Sequence, residues 1–113
     1  MLRDTLFLLP PGFAANGRRE YCPECAEMWG VLHYYPALIH TLDIRYQPIE
    51  RPRAEMVALL GAEHQNCPTL VLADDAPAHD IVKSANRARF IDNARDIGVY
   101  FAHRYGGAYP RGR

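Results

Sequence analysis

The sequence predicts an α/β domain with element order β-α-β-α-β-β-α, in which helices cover both faces of a four-stranded mixed sheet. Three observations point to it. A short apolar run, Leu6 to Leu9, is cut off by Pro10-Pro11-Gly12, as expected of a buried central strand. Leu42-Asp43-Ile44-Arg45-Tyr46 alternates apolar and polar, the period of a strand. Between them lies a helical stretch that lets the two strands run parallel through a right-handed crossover.

The elements follow in order. The stretch through Ala14-Ala15-Asn16-Gly17-Arg18-Arg19 reads as a loop. A helix begins at about Pro23, a residue favoured at the first helical position because its missing N–H would be unpaired there anyway. Ala26, Met28, Trp29, Leu32 and Tyr35 are its apolar positions, and Pro36 marks its end or a break. Pro52 opens a second helix, with Met56, Val57, Leu59 and Leu60 turned inward and Gly61 closing it. Thr69-Leu70-Val71-Leu72 is the third strand, Asp74 to Ala85 a polar loop, and Arg89-Phe90-Ile91 a short fourth strand antiparallel to the third. Asp92 or Asn93 caps a last helix carrying Ile97, Tyr100 and Phe101, and Gly106-Gly107 ends it. The terminal Arg111-Gly112-Arg113 reads as a frayed tail.

At 113 residues, 49% of them hydrophobic, the chain suits a single domain spanning 1–113 with one core. Thirteen basic and thirteen acidic residues give zero formal charge, so no basic excess exists to neutralise phosphates, and nucleic acid is excluded as the expected partner. No segment is long enough to span a membrane. The apolar start is interrupted by Asp4 and stopped early by the two prolines. It therefore reads as a strand rather than a signal peptide, which points to a cytoplasmic protein. Three cysteines, an odd number, fit reduced thiols in that compartment better than a secreted disulfide scaffold.

The segment Tyr21-Cys22-Pro23-Glu24-Cys25-Ala26 carries the chemistry. A C-x-x-C pair at a strand-to-helix junction sets the first sulfur beside unpaired backbone N–H groups and the positive end of the helix dipole. Both favour a thiolate on Cys22. Cys25, one turn on, is then within reach of a mixed disulfide on Cys22. Cys22 would attack, Cys25 would resolve, and the reaction would be thiol–disulfide exchange. The same spacing also occurs in zinc sites. A four-sulfur site would need a second pair, and only Cys67 remains.

The element order, the Tyr21-Cys22-Pro23-Glu24-Cys25 motif and Pro68 opening the third strand together resemble the thioredoxin and glutaredoxin superfamily, over Leu6 to about Tyr105. Cys-Pro-x-Cys is closest to the glutaredoxin version. The resemblance implies a thioredoxin-like fold, a cis-proline at Pro68 against the active-site sulfurs, and no built-in organic cofactor. It implies a protein disulfide or glutathione as partner, with glutathione as co-substrate. Tyr21, Cys67, Pro68, Thr69 and Arg53 would then surround the substrate. The chain also resembles a small bacterial family of domain-of-unknown-function proteins with this fold. That pattern is Tyr21-Cys22-Pro23-Glu24-Cys25-Ala26, Tyr34-Tyr35-Pro36, Arg51-Pro52-Arg53 and Gln65-Asn66-Cys67-Pro68. Departures are visible. The loop before Cys22 is longer than in a minimal glutaredoxin. Asn93-Ala94, or Asp92-Asn93, stands where glutathione-transferase-like chains hold the γ-glutamyl group with an acidic residue and a serine.

Two other readings stay open. Cys22, Cys25 and Cys67 would hold zinc or another soft metal if their sulfurs converge, with His64, His33 or water as fourth ligand. Alternatively, the domain is a non-catalytic binding module, whose exposed Tyr and Trp would suit an interface such as a homodimer. Cys67 also reads as an ordinary small buried hydrophobe. Trp29, Tyr34, Tyr35, Tyr100, Phe101 and Tyr105 read as packing, and the five scattered histidines as surface or satisfied partial core.

Overall fold

The structure is a computed structural model and describes residues 1–113. The elements are β1 (Thr5–Leu8), β2 (Phe13–Ala15), β3 (Arg18–Glu20), α1 (Pro23–Tyr34), α2 (Ala37–Thr41) and β4 (Asp43–Tyr46). They continue with α3 (Ala54–Leu60), β5 (Thr69–Val71), β6 (Lys83–Ala85), β7 (Ala88–Ile91) and α4 (Ala94–Tyr105). The main sheet has five strands in the order β4-β1-β5-β7-β6, and β2 and β3 form a separate two-stranded sheet. β1 runs parallel to β4 and antiparallel to β5, and β5 and β6 each pair antiparallel with β7.

The α/β class, the parallel first pair and the antiparallel later pair match the sequence reading. The strand count does not. Three three-residue strands, β2, β3 and β6, lay inside two segments read as loops. In the first, Asn16 and Gly17 both have positive φ, 54° and 74°, and join β2 to β3 by a two-residue turn of the kind that matches strand twist. In the second, Asn86 and Arg87 do the same between β6 and β7, and the Asn86 amide donates to Leu59 O at 3.2 Å. Both new hairpins carry exposed polar residues, so they lack the apolar alternation that marks a strand in sequence.

Every residue of β1 and β5 is buried. Successive strand side chains point to opposite faces, so both faces of the central sheet are covered. One cluster of 23 buried residues forms the core, including Leu6, Phe7, Leu8, Met28, Leu32, Met56, Leu70, Phe90, Ile97 and Tyr100. In α1 the buried stripe is Cys25, Met28 and Leu32, so the second cysteine belongs to the helix's inward face.

The helix from Pro23 stops at Tyr34 and a separate short α2 follows Pro36, in line with the break read at that proline. The segment after Asp74 is tied down: Arg89 donates to the carbonyls of Ala73, Asp74 and Ala76, and Tyr100 OH donates to Pro77 O at 2.7 Å. The C-terminal segment folds back instead of fraying. Ala108 N donates to Tyr35 OH at 3.0 Å, and Arg113 pairs with Asp96 at 3.0 Å. A Cβ on Gly98 would stand 2.9 Å from Pro110 Cγ, so the missing side chain makes room for that segment.

Asp4, which interrupts the apolar start, is fully buried. Its carboxylate accepts from Ala73 N at 2.7 Å and Tyr105 OH at 2.6 Å, and Arg104 Nε lies 2.9 Å away. It joins the start of β1, the exit of β5 and the end of α4. No helix is long and apolar enough to cross a membrane.

Candidate functional site

Cys22 is the N-cap of α1 and Pro23 its first helical residue. A cap residue with extended backbone turns its side chain toward the unpaired N–H groups of the first turn. Cys22 Sγ accepts there from Cys25 N at 3.1 Å, so a sulfur fills the place usually taken by a serine or aspartate oxygen. The same Sγ lies 3.7 Å from Cys67 O, which accepts from the thiol. All three cysteines are free thiols; Cys22 is half-buried, while Cys25 and Cys67 are buried.

The two buried thiols differ in their surroundings. Cys25 Sγ accepts from Leu9 N at 3.4 Å, at the end of β1. Burial pushes the Cys25 thiol well above its ordinary range, and its hydrogen bond with the Cys22 side chain pushes the same way. Burial also raises the Cys67 thiol to about 11, against the opposing pull of Arg53.

The Cys67–Pro68 peptide is cis, and so is Arg51–Pro52. These two segments are joined through Arg53. Arg53 N donates to Gln65 Oε1 at 2.6 Å, and its guanidinium donates to the carbonyls of Pro48, Ile49 and Gln65 at 2.8, 2.9 and 2.6 Å. Arg53 is 4% exposed. The expectation that it meets a substrate is therefore corrected: its donors are used on the chain's own carbonyls, and it braces the segment leading to Cys67.

Of the other expected substrate contacts, Tyr21 stands exposed at the rim and lines a cavity with Cys22. Pro68 and Thr69 are buried, and Thr69 Oγ1 donates to Asn66 O at 2.6 Å. Cys67 offers Cys22 its carbonyl, while its thiol turns to Met56 Sδ at 3.8 Å. The three sulfurs thus do not converge on one point, and no group of three His, Cys, Asp or Glu side chains is placed to hold a metal ion. His64 packs its ring tilted against Phe90, centroids 4.8 Å apart, and His33 is exposed near the far end of α1.

Two parts of the site were missed in the sequence. The first is the apolar cavity of about 330 Å³ lined by Leu9, Pro10, Pro11, Tyr21, Cys22, Cys25, Ala26 and Trp29. The Pro-Pro pair had been read only as the end of a strand. The second is Glu24, inside the motif, whose Oε1 accepts from Ala94 N at 2.9 Å. A carboxylate is favoured in the first turn of α1, and here it also fills an open N–H at the start of α4 beside the Asn93 cap. The spacing of acidic residues along the chain carries no signal for that contact.

The sequence profile of a family described as "Protein of unknown function (DUF3088)" matches residues 3–109, and the chain belongs to that family. No curated protein and no solved structure matches it.

Proposed function

With membership of a family of unknown function as the premise, we propose that the chain is a thiol–disulfide oxidoreductase on a thioredoxin-like fold. Cys22 is the nucleophile, Cys25 the resolving thiol, and glutathione or a protein disulfide the partner. The observation that carries this is the placement of Cys22 Sγ as the N-cap of α1, accepting the Cys25 N–H, with the Cys25 thiol buried directly behind it. A half-buried sulfur at a helix N-terminus is open to a substrate disulfide, and the buried Cys25 thiol one turn on is placed to resolve the mixed disulfide once one has formed. The parallel β1-α1-β4 unit, the antiparallel β5–β7 pair and α4 support the fold assignment.

In the forward step the Cys22 thiolate attacks one sulfur of the substrate disulfide. The substrate S–S bond breaks, and the leaving thiolate takes a proton from solvent. Cys25 loses its proton and attacks Cys22 Sγ. The second substrate thiolate departs, the protein is left with a Cys22–Cys25 disulfide, and the substrate has gained two electrons.

The test uses the reduced protein and a peptide disulfide, read by intact mass and peptide mapping. Wild type should lose two hydrogens, mapped to Cys22–Cys25. Cys25→Ala should instead accumulate a mixed disulfide on Cys22. Absence of any adduct on Cys22 in the Cys25→Ala protein, with wild type also unoxidised, would sink the reading.

A further inference from the structure

The cavity beside the thiols has no charged side chain in its lining: two prolines, Leu9, Ala26, Tyr21 and Trp29 surround the two sulfurs. At about 330 Å³ it sits at the small end of ligand cavities, the size for one large side chain rather than an extended ligand. Arg19 folds over Gly12, next to Pro11, but does not line it. Neither Cys67 nor Pro68 lines it, so it lies apart from the segment that touches Cys22 from the other direction.

The buried and helix-terminal groups that would recognise an anionic thiol compound are already engaged, and Arg19 and Arg51 lie exposed outside the cavity lining. The Arg53 guanidinium is buried on three carbonyls. The first N–H of α4 is taken by the Glu24 carboxylate, which also places a negative charge in the motif itself. Arg95, in the first turn of α4, pairs with Glu27 at 2.8 Å. Glutathione carries two carboxylates, and bringing them here would meet Glu24 without a free buried cation to offset the cost.

Building on the redox reading of Cys22 and Cys25, we infer that this cavity is a subsite for a large apolar side chain adjoining the substrate's disulfide. The preferred substrate class is then a protein or peptide disulfide flanked by a residue such as Phe or Leu, in preference to glutathione disulfide. The side chain enters between Trp29 and Pro10-Pro11 and holds the neighbouring S–S bond against Cys22. Its burial adds to the binding that precedes exchange, which favours the apolar-flanked substrate by about tenfold.

Single-turnover oxidation of the fully reduced protein tests this, read as the loss of two hydrogens by mass. The probes are a peptide disulfide with Phe beside the cysteine, the same peptide with Ser in that place, and glutathione disulfide. The Phe peptide should react about tenfold faster than either of the others. Ala26→Phe, at an exposed position on α1, should fill the cavity and bring the Phe-to-Ser ratio close to one. A wild-type ratio near one, glutathione disulfide matching the Phe peptide, or a ratio that survives Ala26→Phe would each overturn the subsite while leaving the redox reading standing. No oxidation by any probe would overturn both.

Discussion

The carboxylate of Glu24 accepts the backbone N–H of Ala94 at 2.9 Å, across 70 residues of chain, so the residue between the two motif cysteines ties the start of α1 to the start of α4. A single acidic side chain thereby serves two helix N-termini, where negative charge is favoured. Removing it should resemble the loss of a helix cap. Glu24→Ala is expected to lower stability by about 1 kcal/mol, measured by urea unfolding near pH 7, and Glu24→Gln by less because an acceptor remains. Equal effects of the two substitutions would mean that charge, not the hydrogen bond, carries the tie.

Asp4 should matter far more. Its carboxylate is fully buried and is shared by Tyr105 OH, Ala73 N and Arg104. Asp4→Ala leaves the Arg104 guanidinium without its acidic partner and frees two donors in the interior. A loss of about 3–5 kcal/mol is expected in chemical unfolding. Tyr105→Phe, which removes one donor and keeps the ring, should cost about 1 kcal/mol.

Arg53 separates a bracing role from a substrate role. Lysine cannot reach the carbonyls of Pro48, Ile49 and Gln65 at once with one ammonium group. Arg53→Lys should therefore cost about 2–3 kcal/mol of stability. Its relative rates toward neutral and carboxylate-bearing disulfides should match wild type. A selective loss of the carboxylate-bearing substrate would instead give Arg53 a direct contact.

The three thiols should be unequal toward an alkylating agent. Cys22 is half-buried, whereas Cys67 is buried and held at about 11 from an ordinary 9.0, which leaves it roughly a hundredfold less thiolate near neutral pH. Iodoacetamide at pH 7.5 should label native protein once, on Cys22, with Cys25 and Cys67 modified only after unfolding. Early labelling of Cys67 would contradict its placement against Met56.

Alkaline stability follows from the same groups. The folded state holds protons on Cys67 and Cys25 that the unfolded chain releases near pH 9. Above that value the unfolded state binds fewer protons, so unfolding becomes easier as pH rises. Their contribution is full below pH 9 and declines toward pH 11 for Cys67, and still further up for Cys25. The urea midpoint should fall over that interval, and Cys67→Ala should flatten the slope.

Local patterns made much of this protein legible in its sequence. Apolar runs bounded by Pro and Gly marked β1 and β5, alternation marked β4, and Pro23 after Cys22 marked the start of α1, because each signal is written in consecutive residues. The placement of Cys22 as a helix cap followed from the same reasoning. The β2–β3 hairpin and strand β6 were not legible by hydrophobic pattern because these strands are three residues long and none of their residues is buried, although Asn16-Gly17 is a turn signal in its own right.

Tertiary structure alone decided what distant residues do to one another. Arg53, in the Arg-Pro-Arg segment before α3, reads as a substrate contact until the chain brings Gln65 beside it and buries the guanidinium on carbonyls. Whether Cys67 joins the other two cysteines or packs as a small buried hydrophobe stays open in the sequence until Met56 proves to be its sulfur's neighbour. Asp4 looks like a break in an apolar strand until Tyr105 and Arg104, from the other end of the chain, arrive to share its carboxylate. The physical reason is the same throughout: secondary structure depends on neighbours in sequence, whereas burial of a polar group is tolerated only where folding delivers its partners.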